Sequence, residues 1–430
     1  MKIAKPRIIV VGGGFGGLEA ALYMRMRMPE AADITMVSDQ EHFLFKPNTI
    51  YIPFGLDPSR LKFHLSRPAK RKNIKLVQSL AREIDPITKQ IYLDGQAGDH
   101  SDVHNNKIAY DYLVVATGAG ARPEEVPGLQ EFGHIVWTPE QMLDLHRSLH
   151  ELAEEAKAGT PKKVLFLVPP DNRSPGPLYE IAMLLDTWLR RKHIRSQVDI
   201  SWSTCEGAYL QGFGPRLHSL VADEFTKRDI AGYTSYMVDR VQRGEVVYHN
   251  GERLPFDLLL SLPPQGASTR FESLPVDKRG FITTDIQTGQ VEGYPDIYAV
   301  GDTVDFHVKQ AYLASLQADA AADHLSARVL CTMPSVLFDP VTRYVIEGFG
   351  RATFAQVPLE LTGKWDVPTD VRAGAGDLYR VGSSPIWRLG KLALGVYLPW
   401  RFKAGNPFHS GVPWKGMEAG LKLMSGMLAK

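Results

Sequence analysis

Cysteine is nearly absent from this 430-residue chain, which contains Cys205 and Cys331 and no others. They are too few and too far apart for a disulfide framework or a metal site of the usual spacing, so no metal is expected and a reducing compartment fits. Long apolar runs are lacking too. None reaches the ~18 residues of a membrane-spanning helix, so any membrane contact is expected to be peripheral. Nor does one sign of charge dominate: 49 Lys and Arg against 48 Asp and Glu leave a net charge of +1, which argues against a generic nucleic-acid binder. The opening Met1-Lys2-Ile3-Ala4-Lys5-Pro6-Arg7 carries no apolar segment before a small-residue cleavage site, and this predicts a cytoplasmic protein.

What the chain does have starts immediately afterwards. Arg7-Ile8-Ile9-Val10-Val11 reads as a buried strand that runs into Gly12-x-Gly14-x-x-Gly17, with Phe15 inside the loop and a helix beyond it. The first glycine permits a tight turn, the second lets backbone approach a pyrophosphate, and the third lets helix pack on strand; the helix N-terminus then faces the phosphates. A second strand, Asp33-Ile34-Thr35-Met36-Val37, ends at Ser38-Asp39, where an acid that binds ribose belongs. Asp39, or Ser38 with its backbone, is the ribose candidate.

Two later segments tell one dinucleotide from another. Tyr110–Val115 leads into Ala116-Thr117-Gly118, and Pro295–Val300 leads into Gly301-Asp302. The ordered trio of glycine loop, Ala-Thr-Gly and Gly-Asp resembles the signatures of flavoproteins built from two dinucleotide-type domains. That resemblance implies bound FAD, with Asp302 on the ribityl chain. Between about 121 and 265 a second α/β segment follows, with strand Lys163–Val168, a helix near Leu178–Arg191 and strand Val198–Trp202. Where a nicotinamide-binding relative would repeat the glycine loop, this chain has Pro169-Pro170-Asp171-Asn172-Arg173-Ser174-Pro175-Gly176-Pro177. Proline removes backbone donors, so this turn is unsuited to a pyrophosphate, and NADH is a poor candidate donor.

The Pro-rich turn into Leu178-Tyr179-Glu180, the run Leu189-Arg190-Arg191-Lys192, the segment Phe43-Leu44-Phe45-Lys46-Pro47-Asn48 and Lys309 resemble the sulfide:quinone oxidoreductase and flavocytochrome sulfide dehydrogenase family, sister to the type II NADH dehydrogenases. The likeness covers most of residues 6–330. It implies two three-layer Rossmann-like domains, an FAD domain of residues 1–120 and 266–330 and a second domain of 121–265 without a glycine fingerprint; beyond 330 the likeness fades, and residues 331–430 are read from their own pattern as an interface or membrane-anchoring region. It also implies electron transfer from flavin to a membrane quinone, with sulfide or another sulfur compound as donor. FAD is expected to be non-covalent, since no cysteine lies near residues 40–48. The cofactor contacts it implies are Gly12, Gly14, Phe15, Gly17, Ser38, Asp39, Pro47, Ala116, Thr117, Gly118, Gly301, Asp302 and Lys309.

The sulfur chemistry of that family needs two cysteines beside the flavin, because a thiolate is the nucleophile. Here one position holds Ser174 and the other falls at Tyr344 or Val345, with Val345 preferred; a third, present in some members, holds Trp137. Cys205 and Cys331 read as packed or surface thiols. Glu180 and Lys309 are retained, the acid as a proton relay and the lysine as a stabiliser of reduced anionic flavin. Gln211 stands where some relatives have histidine. The small-residue helix after Lys309 is expected to bring its positive end close to the flavin ring.

Charge is unevenly spread. Residues 381–430 hold seven Lys or Arg against Glu418 alone, a local +6 that leaves −5 for the rest. Trp414, Met417, Leu421, Met424 and Leu428 recur at spacings of three and four, predicting an amphipathic helix that serves as a membrane foot, with dimer or core packing as the other use of the same stripe. The protein is therefore expected at the inner face of the cell membrane. A homo-oligomer or a redox partner protein stays open, as do two rival readings, a type II NADH:quinone reductase and a flavin-bearing subunit without its own sulfide chemistry.

Overall fold

The computed structural model describes residues 5–94, 106–360 and 370–429. Met1–Ala4 and Lys430, used above in reading the N-terminus and the basic tail, lie outside them.

The apolar run Arg7–Val11 sits near the middle of a six-stranded sheet ordered Gln290–Val291, Tyr294–Ala299, Tyr112–Val115, Arg7–Val11, Asp33–Ser38, Lys75–Gln78. It pairs in parallel on both sides, Val10 with Met36 and with Val114, and all four of its apolar residues are buried. A parallel sheet covered on both faces demands such uninterrupted runs. The strand order reverses at Arg7–Val11, so the loop that follows it lies at the switch point where α/β sheets bind ligands. Helix Phe15–Arg27 packs on helix Ala311–Leu330, and the small residues Ala20, Ala21, Ala318, Ala321 and Ala322 let the two approach closely.

The chain passes between its two halves where Ala119–Ala121 pairs antiparallel with Gln265–Ala267. Between those points a second parallel sheet forms, ordered His134–Ile135, Leu258–Ser261, Lys162–Val168, Val198–Thr204, Ile230–Tyr233. Helix Pro139–Lys157 covers it behind a capping box in which Thr138 and Gln141 exchange side-chain and backbone bonds. The helix read as starting near Leu178 begins two residues earlier and spans Gly176–Arg191.

The C-terminal part is an antiparallel sheet of Val341–Glu347, Ala352–Pro358 and Arg380–Ser384, followed by helices Pro385–Lys403 and Gly411–Leu428. Among the described residues, no helix is long and apolar enough to cross a membrane. Four of the five residues of the predicted stripe turn out to face inward, and Leu428 is exposed. Trp414 is buried, Met417 packs beside it, and Leu421 and Met424 pack with Phe354 and Trp387. A period of 3.6 reports that one face of a helix is covered without saying by what, and here the cover is the protein itself. The exposed large apolar side chains are Val412, Leu423, Met427 and Leu428 on this helix and Ile386, Leu389, Leu392, Val396 and Trp400 on the preceding one.

The turn between these helices is tied to the sheet domain. Phe408 N–H donates to both carboxylate oxygens of Glu19 at 2.7 Å, and His409 Nδ1 lies 2.6 Å from Asp319 Oδ2. Burial pushes Glu19 well up, with Asp319 adding to it; burial also raises Asp319 to about 7 and lowers His409 to about 4.

Candidate active site

The glycine loop has the shape its sequence implies. Gly12 has φ +109°, and a Cβ there would lie 2.3 Å from the Ala116 carbonyl oxygen; a Cβ on Gly17 would lie 1.9 Å from the Gly12 carbonyl oxygen. Those two glycines are required by the fold. Gly14 differs, because a Cβ on it would meet no atom within 4 Å. Open space before a helix N-terminus, at the switch point of the sheet, is what a pyrophosphate needs. Phe15 opens the helix and packs on Phe43 and Phe402, with ring centroids 4.9 and 6.2 Å away.

At the end of the second strand, the Ser38 hydroxyl donates to Gln40 O at 2.8 Å and accepts from Gln40 N at 3.1 Å, so it is already engaged. Asp39 is exposed and bonds Gln40 Nε2 at 3.0 Å. The turns Ala116-Thr117-Gly118 and Gly301-Asp302 stand side by side: Thr117 Oγ1 and Thr303 Oγ1 are 3.1 Å apart, and Gly118 and Gly301 have φ of +80° and +77°. Burial raises Asp302, while Lys309 and Lys46 pull it back. Lys46, beside Pro47 at the start of the turn Lys46–Phe54, was not among the residues singled out from sequence; it sits 4.7 Å from the ring centroid of Trp137.

Lys309 is 4% exposed and its ammonium donates to Val304 O. It stacks on Phe281 at 3.9 Å from the centroid, as Arg173 does at 4.5 Å, and Asp277 lies 3.6 Å from Arg173. Burial, then the neighbouring Arg173, brings Lys309 down to about 7. The helix carrying small residues starts at Ala311, just beyond it.

Ser174, Gly176, Phe213, Lys309, Gln310 and Tyr344 line one small cleft. Of the two candidates on the C-terminal strand it is Tyr344 that stands beside Ser174; Val345, the preferred one, faces the opposite cluster of Ala352, Phe354 and Trp387. Successive residues of a strand point to opposite faces, so a one-residue choice decides the side. Cys205 lies at the end of strand Val198–Thr204, where burial pushes its thiol to about 12, and Cys331 is an exposed helix cap. Gln211 Oε1 accepts from Gly207 N, a local loop bond.

Glu180 is buried under helix Pro385–Lys403. It accepts from the Lys391 ammonium and from Glu347 N at 3.2 Å. Burial raises its pKa and Lys391 opposes the shift. The network extends through Glu347, which accepts from Arg388 Nε at 3.0 Å and from the Tyr51 hydroxyl at 3.2 Å. Lys391 and Arg388 belong to helix Pro385–Lys403, whose outer face is the exposed apolar one.

A family profile described as pyridine nucleotide-disulphide oxidoreductase matches residues 6–165 and 195–318, more than half of the chain. The chain belongs to that family. Among curated relatives it is 29% identical to the sulfide-quinone reductase of Aquifex aeolicus over 268 residues, 60% of this chain and 58% of that protein. It is 22% identical to the mitochondrial sulfide:quinone oxidoreductase of Mus musculus over 367 residues, 81% and 77% of the two chains. An alternative NAD(P)H-ubiquinone oxidoreductase of Arabidopsis thaliana matches at 25% over 337 residues, 70% of this chain and 61% of that one. The match thus spans under two thirds of the Aquifex protein's length. The crystal structure of the Aquifex aeolicus sulfide:quinone oxidoreductase superposes with a TM-score of 0.82 at 23% identity, covering 97% of this chain and 96% of that one. The fold is therefore of that type.

Proposed function

We propose that the chain is an FAD-dependent oxidoreductase that passes two electrons to a membrane quinone, in the manner of the sulfide:quinone reductases it is similar to. The observation that carries this reading is the open approach at Gly14, flanked by the Ala-Thr-Gly and Gly-Asp turns and two lysines around Asp302. Bound FAD would supply the two-electron redox chemistry. Gly12, Gly14 and Gly17 would take the pyrophosphate, Asp39 the ribose, and Asp302 the ribityl hydroxyls, which a carboxylate can accept from.

The surrounding residues handle charge and protons. Lys309 and Lys46 place positive charge where reduced flavin gathers negative charge. Glu180, raised above the ordinary carboxylate range by burial and paired with Lys391, is suited to hand on a proton. It lies between the cleft and the helix Pro385–Lys403, whose exposed Leu389, Val396 and Trp400 would dip into the inner leaflet while neighbouring basic residues meet anionic headgroups. Sulfide or another sulfur compound is the donor in this reading, and it would reach the cleft that Ser174 and Tyr344 line. Steady-state reduction of a soluble quinone, with sulfide or NADH as donor, tests the reading: turnover with sulfide supports it, and turnover with NADH at comparable rate refutes it.

A further inference from the structure

We infer that Glu41, His42 and His64 form a binding site for a divalent transition ion of the zinc type. His42 and His64 face each other across the antiparallel pair His42–Leu44 and Lys62–His64. Residues directly opposite on such a pair present their side chains on one face, close together. Their Nε2 atoms are 3.3 Å apart. Two ligands at about 2.0–2.1 Å from a tetrahedral ion are separated by roughly 3.3–3.4 Å, which matches this spacing; the rings, with centroids 4.0 Å apart and tilted by 42°, would splay to bring both lone pairs onto one ion.

Glu41 bears on His64 more than on His42. Its carboxylate lies behind the rings, Oε1 3.0 Å from His64 Nδ1 and Oε2 3.8 Å from His42 Nδ1. At 3.0 Å the carboxylate favours a proton on His64 Nδ1 and so a lone pair on His64 Nε2, whereas 3.8 Å is too long to fix His42, whose Nε2 can take either role. Two ring nitrogens 3.3 Å apart are reconciled by a proton on one ring or by a cation between both lone pairs. A carboxylate behind a ligating imidazole is also the usual way a metal-bound histidine is oriented.

The platform is fixed before any ion arrives. On the other face of the same hairpin Phe43 and Phe63 are buried and stacked, with centroids 4.9 Å apart. His42 and His64 have side-chain exposures of 37% and 57%, so an ion reaches them from solvent and water completes its shell. The hairpin also joins Asp39 to Lys46, so the ion would clip the segment that carries the ribose acid and a counter-charge of Asp302. The two histidines are 22 residues apart, which no metal-motif spacing signals.

Isothermal titration of the full, untagged, flavin-loaded chain with Zn2+ tests this, with folding checked by circular dichroism. Expected is one equivalent that His42→Ala and His64→Ala each abolish and that Glu41→Gln weakens about 10- to 100-fold. His146→Ala, which breaks a second close imidazole pair with His150, should leave that equivalent in place. No uptake by the parent protein would overturn the inference. So would undiminished uptake by either His42→Ala or His64→Ala, since the pair would then be hydrogen-bonded only.

Discussion

Gly176 lies directly beneath Tyr344: a Cβ on the glycine would sit 1.6 Å from the phenol oxygen and 2.2 Å from the carbon that bears it. The second domain therefore meets an aromatic ring at the helix start, where a nucleotide site would receive its phosphates, and Pro175 and Pro177 withhold backbone donors there. Gly176→Ala should displace the ring and cost about 1–3 kcal/mol in urea unfolding, whereas Tyr344→Phe, which keeps the ring, should cost little. Equal stability of Gly176→Ala and the parent would contradict this packing.

Gly14 and Gly17 should respond differently to the same substitution. Gly17→Ala puts a Cβ 1.9 Å from the Gly12 carbonyl oxygen and should impair folding. Gly14→Ala meets nothing in the protein, so it should fold with an unchanged melting temperature yet retain at least tenfold less FAD after gel filtration. Full flavin content in Gly14→Ala would show that the cofactor does not approach there.

Lys391→Met leaves Glu180 buried without its cation. The cost should be about 3–5 kcal/mol if the acid stays ionised, and less if it takes up a proton instead. Glu180→Gln keeps the size and removes the proton, so quinone reduction should slow by roughly 10²- to 10⁴-fold with the flavin spectrum intact. A rate within twofold of the parent would remove Glu180 from the proton path.

The tie at Glu19, Asp319 and His409 sets a pH dependence. The raised carboxyls bind protons in the folded state that the unfolded state has lost, so their contribution is full below the ordinary carboxylate range and falls as pH rises above it, for Asp319 through about 7. His409, lowered to about 4, acts in the other direction between that value and the ordinary imidazole range. With two carboxyls against one imidazole, the parent should lose stability from pH 5 to 8. Asp319→Asn should flatten the curve, narrowing the difference in melting temperature between those pH values by roughly 2–4 °C.

Membrane binding should depend on the outward face of helix Pro385–Lys403. Replacing Leu389, Val396 and Trp400 by Glu should abolish flotation with anionic vesicles and leave the fold intact, because these side chains contact solvent. Leu421→Glu should destabilise instead, since that residue packs on the Phe354 cluster. Unchanged flotation of the triple variant would refute the assigned face.

Some of this was legible in the sequence and some was not, for physical reasons. The α/β class and the glycine loop are local patterns: a strand, a turn that only glycine can make, and a helix. Lys391 lies 211 residues from Glu180, and its pairing depends on how the C-terminal helix docks, which no local pattern encodes. The same holds for Lys46 and Asp302. The choice between Tyr344 and Val345 turned on one residue of register, and Trp414, Met417, Leu421 and Met424 announced a covered face without naming its cover.

The most direct test of the central claim is to reduce the bound flavin anaerobically with dithionite, remove excess reductant, and mix with a soluble ubiquinone analogue while following flavin absorbance. The account predicts rapid, stoichiometric return of oxidised flavin absorbance. A reduced flavin that persists in the presence of quinone would contradict it.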